Sequence, residues 1–160
     1  MPHQQNSKNR THEFDKFIEN YRANQDEHVA LSGESGAFFA QYKAAKLYEW
    51  FPAYRTKPTT ILDFGCGDGL MTECVRNNFP LAETFGIDPS EKSIEAAQKS
   101  FPIPHFSWFD GTQTPFASES MDLIFAAGVF HHIPFDQHQT CINEIMRILK
   151  PGGHFVLFEL

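Results

Sequence analysis

Hydrophobic and polar positions repeat with two different periods along residues 60–160. Short apolar runs at residues 60–64, 84–87, 105–109, 122–126 and 154–160 indicate strands. Between them, apolar side chains three or four positions apart indicate helices at residues 70–78, from residue 90 onward, and at about 136–149. Strands that alternate with helices form parallel sheets with right-handed crossovers. The pattern therefore predicts the α/β class, with a doubly wound, mostly parallel sheet.

The amino-terminal third has a different pattern. Residues 1–11 are polar without periodicity, which predicts a disordered tail. Helical spacing follows at residues 13–24 and again in a stretch that ends at Phe51, before Pro52. We therefore expect a helical cap over residues 12–57 and an α/β domain over residues 58–160, packed as one unit because 160 residues suit a single core.

The candidate chemistry lies where the predicted strands end. The first strand runs into ILDFGCGDG at residues 61–69, the second ends in Asp88, and the third ends in Asp110. Parallel strands bring their carboxyl ends to one crevice, where ligands bind in folds of this type. A dinucleotide fingerprint would place its third glycine at Leu70, whereas this chain has it at Gly69. For each aspartate, the alternative is a loop residue that caps the next helix.

Five motifs in order resemble the class I S-adenosylmethionine (SAM)-dependent methyltransferases over residues 59–160. They are ILDFGCGDG at 61–69, FGIDPS at 85–90, FDG at 109–111 with TPF at 114–116, SMDLIFAAGVFHHI at 120–133, and EIMRILKPGG at 144–153. They are most similar to quinone-biosynthesis and other small-molecule methyltransferases. The resemblance implies a Rossmann-like methyltransferase fold, SAM as the cofactor, S-adenosylhomocysteine as its product, and a small-molecule acceptor.

The same resemblance implies roles for particular residues. Asp63 and the backbone of Gly65 would hold the methionine part of SAM, Asp88 the ribose, and Asp110 the adenine. Ala126 and Ala127 would line the methionyl end. The other positions of these motifs that complete the predicted cofactor site are Cys66, Gly67, Gly69, Pro89 and Gly111.

Two histidines that follow the fourth strand are the candidate catalytic residues. His131 and His132 should face the crevice, and histidine titrates in the range that a general base needs. The alternative is that one histidine caps the loop and the other packs. With Asp136 and His138 they could be read as metal ligands, but their spacing matches no standard zinc pattern, so we predict no metal.

Net charge and cysteine content limit the kinds of partner and the compartment that we expect for this protein. A formal net charge of −7 repels phosphate backbones, and AAGV at 126–129 stands where nucleic-acid amino-methyltransferases carry their Pro-Pro tetrad, so we expect no nucleic acid. Three cysteines without metal-ligand spacing favour free thiols in the cytoplasm. No apolar run is long enough to span a bilayer, so we expect no membrane association.

Two other functions stay open at this point. One is a module that binds SAM or S-adenosylhomocysteine without turnover. The other is an NAD-dependent oxidoreductase, against which Gly69 and Asp110 both count.

The end of the sequence suggests an incomplete sheet. The family sheet has seven strands, and this sequence stops at the fifth, so the last two strands should be missing. The fifth strand contains the apolar run FVLF at 155–158 and would be a bare edge, and such edges pair with other chains. We expect either that these residues are part of a longer protein or that they form a homodimer through this edge.

Overall fold

The computed structural model describes residues 36–51 and 57–159. The predicted tail at residues 1–11 and the predicted helix at 13–24 lie outside the described residues. Of the predicted cap, the second helix is described, and it begins at Gly36.

Within these ranges, helices and strands follow one another in the order that the hydrophobic pattern predicts. The bounds are α1 Gly36–Trp50, β1 Thr60–Phe64, α2 Leu70–Asn78, β2 Glu83–Asp88, α3 Glu91–Ser100, β3 His105–Trp108, β4 Met121–Ala127, the 3₁₀ turns Phe130–His132 and Phe135–Gln137, α4 His138–Ile148, and β5 Leu149–Phe158.

The strands form one parallel sheet in the order β3-β2-β1-β4-β5. The chain starts in the middle of the sheet, moves outward to β3, and returns across β1 to β4. The carboxyl ends of β1 and β4 are therefore neighbours at the switch point, where sheets of this type bind their ligands. The predicted α/β class and parallel sheet are confirmed, and within the described residues β5 is an edge strand.

Helices cover both faces of the sheet, which explains why its central strands are continuously apolar. On one face α1 and α2 pack in a cluster with Ile61 and Leu123. On the other face α4 packs in a cluster with the next residue of each strand, Leu62 and Ile124. All four strand residues are fully buried. This two-sided burial fixes the positions of the strand ends, and hence of the loops that follow them.

The predicted bounds differ from the structure mainly at β5. The sequence KPGG at 150–153 predicts a break before a strand at residue 154, but strand pairing already begins at Leu149. Met121 pairs with Leu149 and Leu123 pairs with His154, so the residues between Leu149 and His154 bulge out of the ladder. Gly152, at φ +79°, supplies the left-handed backbone that this bulge needs.

The helix before β5 also begins later than predicted. Residues 135–137 form a 3₁₀ turn after Pro134, and α4 starts at His138. In the described part of the chain, no helix has the length and apolar character needed to cross a membrane.

Candidate cofactor site

The glycine turn after β1 is tied to the end of β2. The backbone N–H groups of Gly65 and Cys66 both donate to the carbonyl oxygen of Ile87, at 2.8 and 2.9 Å. Gly65, Gly67 and Gly69 have φ values of +83°, +53° and +82°, which ordinary side chains rarely adopt. The three alternating glycines therefore allow the chain to turn sharply from β1 into α2 while staying beside β2.

The three glycines serve different purposes in this turn. A Cβ on Gly65 would lie 2.6 Å from a methyl group of Val129, and one on Gly69 would lie 2.7 Å from the Phe106 ring. At Gly67, by contrast, a Cβ would meet nothing within 4 Å. Packing therefore requires the outer two glycines, whereas Gly67 borders open space into which a ligand can fit against the backbone.

Asp88 holds this turn from the end of β2. Its Oδ2 accepts the N–H of Gly67 at 2.9 Å, and its Oδ1 accepts the N–H of Ser90 at 2.9 Å. Ser90 in turn caps α3 by accepting the N–H of Ser93. The carboxylate is almost completely buried, and a carboxylate oxygen can accept more than one hydrogen bond. Asp88 thus links the backbone of the open glycine to the residues that begin α3.

Asp63 lies below the turn rather than at its surface. Its side chain is completely buried, and its Oδ2 accepts the hydroxyl of Thr72 in α2 at 2.7 Å. Burial raises the pKa of Asp63 to about 7; the Thr72 bond opposes this, and the charges of Asp88 and Asp68 add to it. Asp63 therefore fixes α2 under the glycine turn, and its carboxyl can exchange a proton near neutral pH.

At the end of β3, Asp110 shapes a loop beside a cavity. Its Oδ1 accepts the backbone N–H groups of Thr112 and Gln113, at 2.8 and 3.0 Å. Partial burial works against the charged form, but these hydrogen bonds outweigh it and lower the pKa of Asp110. The side chain therefore closes a turn of this loop, and the next element of the described chain is the strand β4 rather than a helix that Asp110 could cap. Gly111 follows at φ +86°, with nothing within 4 Å of a Cβ position.

The cavity beside Asp110 has a volume of about 360 Å³. It is lined by Trp108, Phe109, Asp110, Gln113, Thr114 and Pro115. The indole N–H of Trp108 donates to the carbonyl oxygen of Pro89 at 2.9 Å, which ties this wall to the residue after Asp88. An aromatic wall next to hydrogen-bonding loop atoms suits a flat heterocycle.

The fourth strand end brings the histidines to the same edge of the sheet. Ala126 is buried and Ala127 half-buried, and the N–H of Gly128 donates to the carbonyl oxygen of Phe158 in β5. Val129 then contacts the glycine turn at Gly65. Cys66, at the turn itself, is also buried. The structure thus brings the ends of β1, β2 and β4 together around one turn.

His131 and His132 follow Val129 in a 3₁₀ turn, with ring centroids 3.8 Å apart. The Nδ1 of His131 lies 2.6 Å from Oε2 of Glu159. Partial burial and the neighbouring His131 lower the pKa of His132, against an opposing effect of Glu159. In the described ranges, no three His, Cys, Asp or Glu side chains form a group that could hold a metal ion.

Three site residues escaped the sequence patterns. Glu159 lies at the carboxyl end of β5, a place at which an acid at a strand end could have been noticed. Trp108 follows the alternation of β3 and resembles a core position. Glu144 resembles a helix-surface acid, yet its Oε1 accepts the N–H and hydroxyl of Thr114 at 2.8 and 2.7 Å and so fixes the loop after β3.

A glycine turn, a buried acid at the next strand end and an aromatic cavity at the third are features with which parallel α/β sheets hold nucleoside cofactors at their switch point. The family described as "Methyltransferase domain" matches residues 62–157 of this chain. The chain therefore belongs to that family, and the resemblance inferred from the motifs is confirmed.

Individual relatives agree with this assignment. The chain is 33% identical over 95 residues to a trans-aconitate 2-methyltransferase from Azoarcus sp. (strain BH72), covering 59% of this chain and 36% of the relative. It is 31% identical over 103 residues to a demethylmenaquinone methyltransferase from Thermotoga maritima, covering 64% and 44%. The crystal structure of the plantazolicin methyltransferase BpumL with bound SAH aligns with a TM-score of 0.63 at 25% identity, covering 82% of this chain and 47% of that one. The chain thus spans about a third to a half of the relatives that it matches.

Proposed function

We propose that this chain binds SAM and supports transfer of its methyl group to a small-molecule acceptor. The observation that carries the proposal is the open space at Gly67, bordered by a backbone whose N–H is held by the buried carboxylate of Asp88. Family membership and the relatives' names support the same reaction class. SAM supplies an electrophilic methyl group on a sulfonium, so the protein's task is alignment of the acceptor and exclusion of water.

The predicted cofactor residues divide this task among the strand ends. Asp88 accepts the ribose hydroxyls, and the glycine turn lies against the methionine part. Asp110, Gly111 and the aromatic cavity at Trp108 take the adenine. Asp63 acts from below, because it positions α2 through Thr72 and adds negative charge when it is ionised. Ala126 and Ala127 leave room for the methionyl end because their side chains are small.

On the acceptor side we propose that His131 and His132 are the catalytic pair. Both lie in the turn that Val129 fixes against Gly65, so they border the cofactor turn from the side of β4 and β5. A base is needed when the acceptor atom carries a proton that must leave.

Turnover separates an enzyme from a module that only binds the cofactor. The chain should be incubated with methyl-labelled SAM and a library of small acceptors, and the label counted in the acceptor fraction. Methylation of at least one acceptor supports the proposal. Binding of S-adenosylhomocysteine without methylation of any acceptor would assign the chain to the binding modules.

We also propose that the chain acts in the cytoplasm, on a small molecule rather than a nucleic acid, and forms a homodimer through the β5 edge. The free, buried cysteines and the net charge of −7 support the first two points. The exposed Leu157 on the edge strand supports the third. Light scattering of the purified chain tests the dimer, because a monomer at all concentrations would reject it.

A further inference from the structure

Glu159 makes three contacts with the loop after β4. Its Oε1 accepts the backbone N–H groups of Val129 and Phe130, both at 2.8 Å, and its Oε2 lies 2.6 Å from Nδ1 of His131. Partial burial raises the pKa of Glu159, but the hydrogen bonds from His131, Phe130 and Val129 outweigh this, and the net effect lowers it. The side chain is therefore an ionised acceptor that serves the loop backbone and one histidine together.

The contact to Glu159 determines which nitrogen of His131 is basic. Because these hydrogen bonds lower the pKa of Glu159, the carboxylate is ionised at neutral pH and has no proton to donate, so the proton in the short contact belongs to Nδ1 of His131. In the neutral ring, Nε2 then carries the lone pair. A carboxylate behind a histidine also stabilises the imidazolium that forms when the ring takes up a proton.

The loop that carries His131 is held from its other end as well. Nε2 of His138 lies 2.9 Å from the carbonyl oxygens of both Phe130 and Ile133. Both partners are acceptors, so His138 donates from Nε2 and stabilises the 3₁₀ turn at residues 130–132. The position of His131 is therefore fixed by β5 on one side and by the first turn of α4 on the other.

A base held in a fixed position indicates an acceptor atom that carries a proton at neutral pH. A hydroxyl group attacks a sulfonium methyl poorly until its proton is removed, whereas a carboxylate is already ionised at neutral pH and needs no base. A carboxylate acceptor would also add a second negative charge on the side of the loop where Glu159 already lies. The described arginines have carboxylate partners elsewhere, since Arg76 pairs with Glu73 and Arg147 with Glu144.

We propose that Glu159 is a positioning residue that fixes His131 as the general base, and that the acceptor atom is the oxygen of a hydroxyl or phenol. This inference rests on the proposed methyl transfer. In the step, Nε2 of His131 takes the O–H proton while the oxygen forms its bond to the methyl carbon. The bond from carbon to sulfur breaks with its electron pair going to sulfur, which leaves a neutral thioether, and the imidazolium later gives its proton to water.

The experiment compares two kinds of acceptor and three variants. Catechol and hydroquinone are the hydroxyl probes, and benzoate and trans-aconitate, a tricarboxylate, are the carboxylate probes. The variants are His131→Gln, Glu159→Gln and, as a matched control, Glu83→Gln. Glu83 also pairs with a histidine, His105 at 3.4 Å, but at the amino ends of β2 and β3. Glutamine at 159 keeps an oxygen for the N–H groups of the loop, so this variant retains the fold.

We expect methyl transfer to a hydroxyl probe and none to the carboxylate probes. His131→Gln should lower the single-turnover rate by about 10²–10⁴-fold and Glu159→Gln by about 10–10²-fold. S-adenosylhomocysteine affinity should stay within about twofold in both variants, and Glu83→Gln should match the wild type. Nitrogen-15 NMR should show the neutral His131 ring protonated at Nδ1, with a shift toward Nε2 protonation in Glu159→Gln.

Three results would overturn the proposal: faster methylation of the carboxylates, binding of S-adenosylhomocysteine with no methylation of either hydroxyl probe, or a wild-type His131 protonated at Nε2. A wild-type chain that does not bind S-adenosylhomocysteine would be a different result, because it would refute the proposed function itself.

Discussion

Gly67→Ala can distinguish an effect on cofactor binding from ordinary backbone strain, because the chain contains a matched control at Gly152. Gly67 and Gly152 both have positive φ, +53° and +79°, and at neither would a Cβ meet an atom within 4 Å. Alanine in the left-handed region costs about 1 kcal/mol at each position, partly offset by the lower entropy of the unfolded chain. The two variants should therefore have nearly equal stabilities in urea denaturation.

Their cofactor affinities should differ sharply. The methyl group that Gly67→Ala adds would project into the space that we propose for the cofactor, whereas Gly152 lies in the β5 bulge. Forcing one extra methyl into a packed contact costs about 1–3 kcal/mol, which corresponds to roughly 5- to 150-fold in affinity. Calorimetry with S-adenosylhomocysteine measures this loss directly. Equal affinities of Gly67→Ala and Gly152→Ala would refute the assignment of Gly67 as the point of closest approach.

Two further predictions concern stability. The pKa of Asp63 is raised from 3.8 to about 7 on folding, so the unfolded chain releases this proton first and stability falls as pH rises from about 4 to about 7. A pKa difference of about three corresponds to about 4 kcal/mol. Asp63→Asn should therefore be more stable than the wild type by up to that amount at pH 8, and the two proteins should be equally stable at pH 4. A stability difference that does not change with pH would contradict this prediction. Glu144→Ala leaves the N–H of Thr114 without its acceptor and should lower the free energy of unfolding, measured in urea, by about 2–3 kcal/mol. Glu144→Gln keeps one oxygen and should lose less stability. Equal losses in the two variants would contradict the role of Glu144 in fixing the loop after β3.

Local sequence patterns were sufficient to predict most of the sheet. The helix predicted at residues 70–78 has those bounds in the structure, because a glycine turn begins it and Pro80 follows its end. The first strand was also predicted at its observed bounds. In both cases the deciding signals lie within a few residues of the element, and burial on both faces leaves little choice of register.

The features that were not predicted depend on contacts between residues far apart in sequence. Glu159 reaches backbone N–H groups about 30 positions earlier, and Glu144 does the same for Thr114. The early start of β5 depends on pairing with Met121 in β4, which outweighs the local effect of Pro151 and two glycines. Local sequence periodicity carries no information about contacts between residues this far apart, so only the structure shows them.

The most direct test of a SAM-binding domain is titration calorimetry of the wild-type chain with S-adenosylhomocysteine and, separately, with NAD⁺. The described glycine turn, the buried Asp88 and the aromatic cavity together predict one S-adenosylhomocysteine bound per chain and no heat from NAD⁺. Saturation with NAD⁺ and none with S-adenosylhomocysteine would contradict the account and favour the oxidoreductase hypothesis.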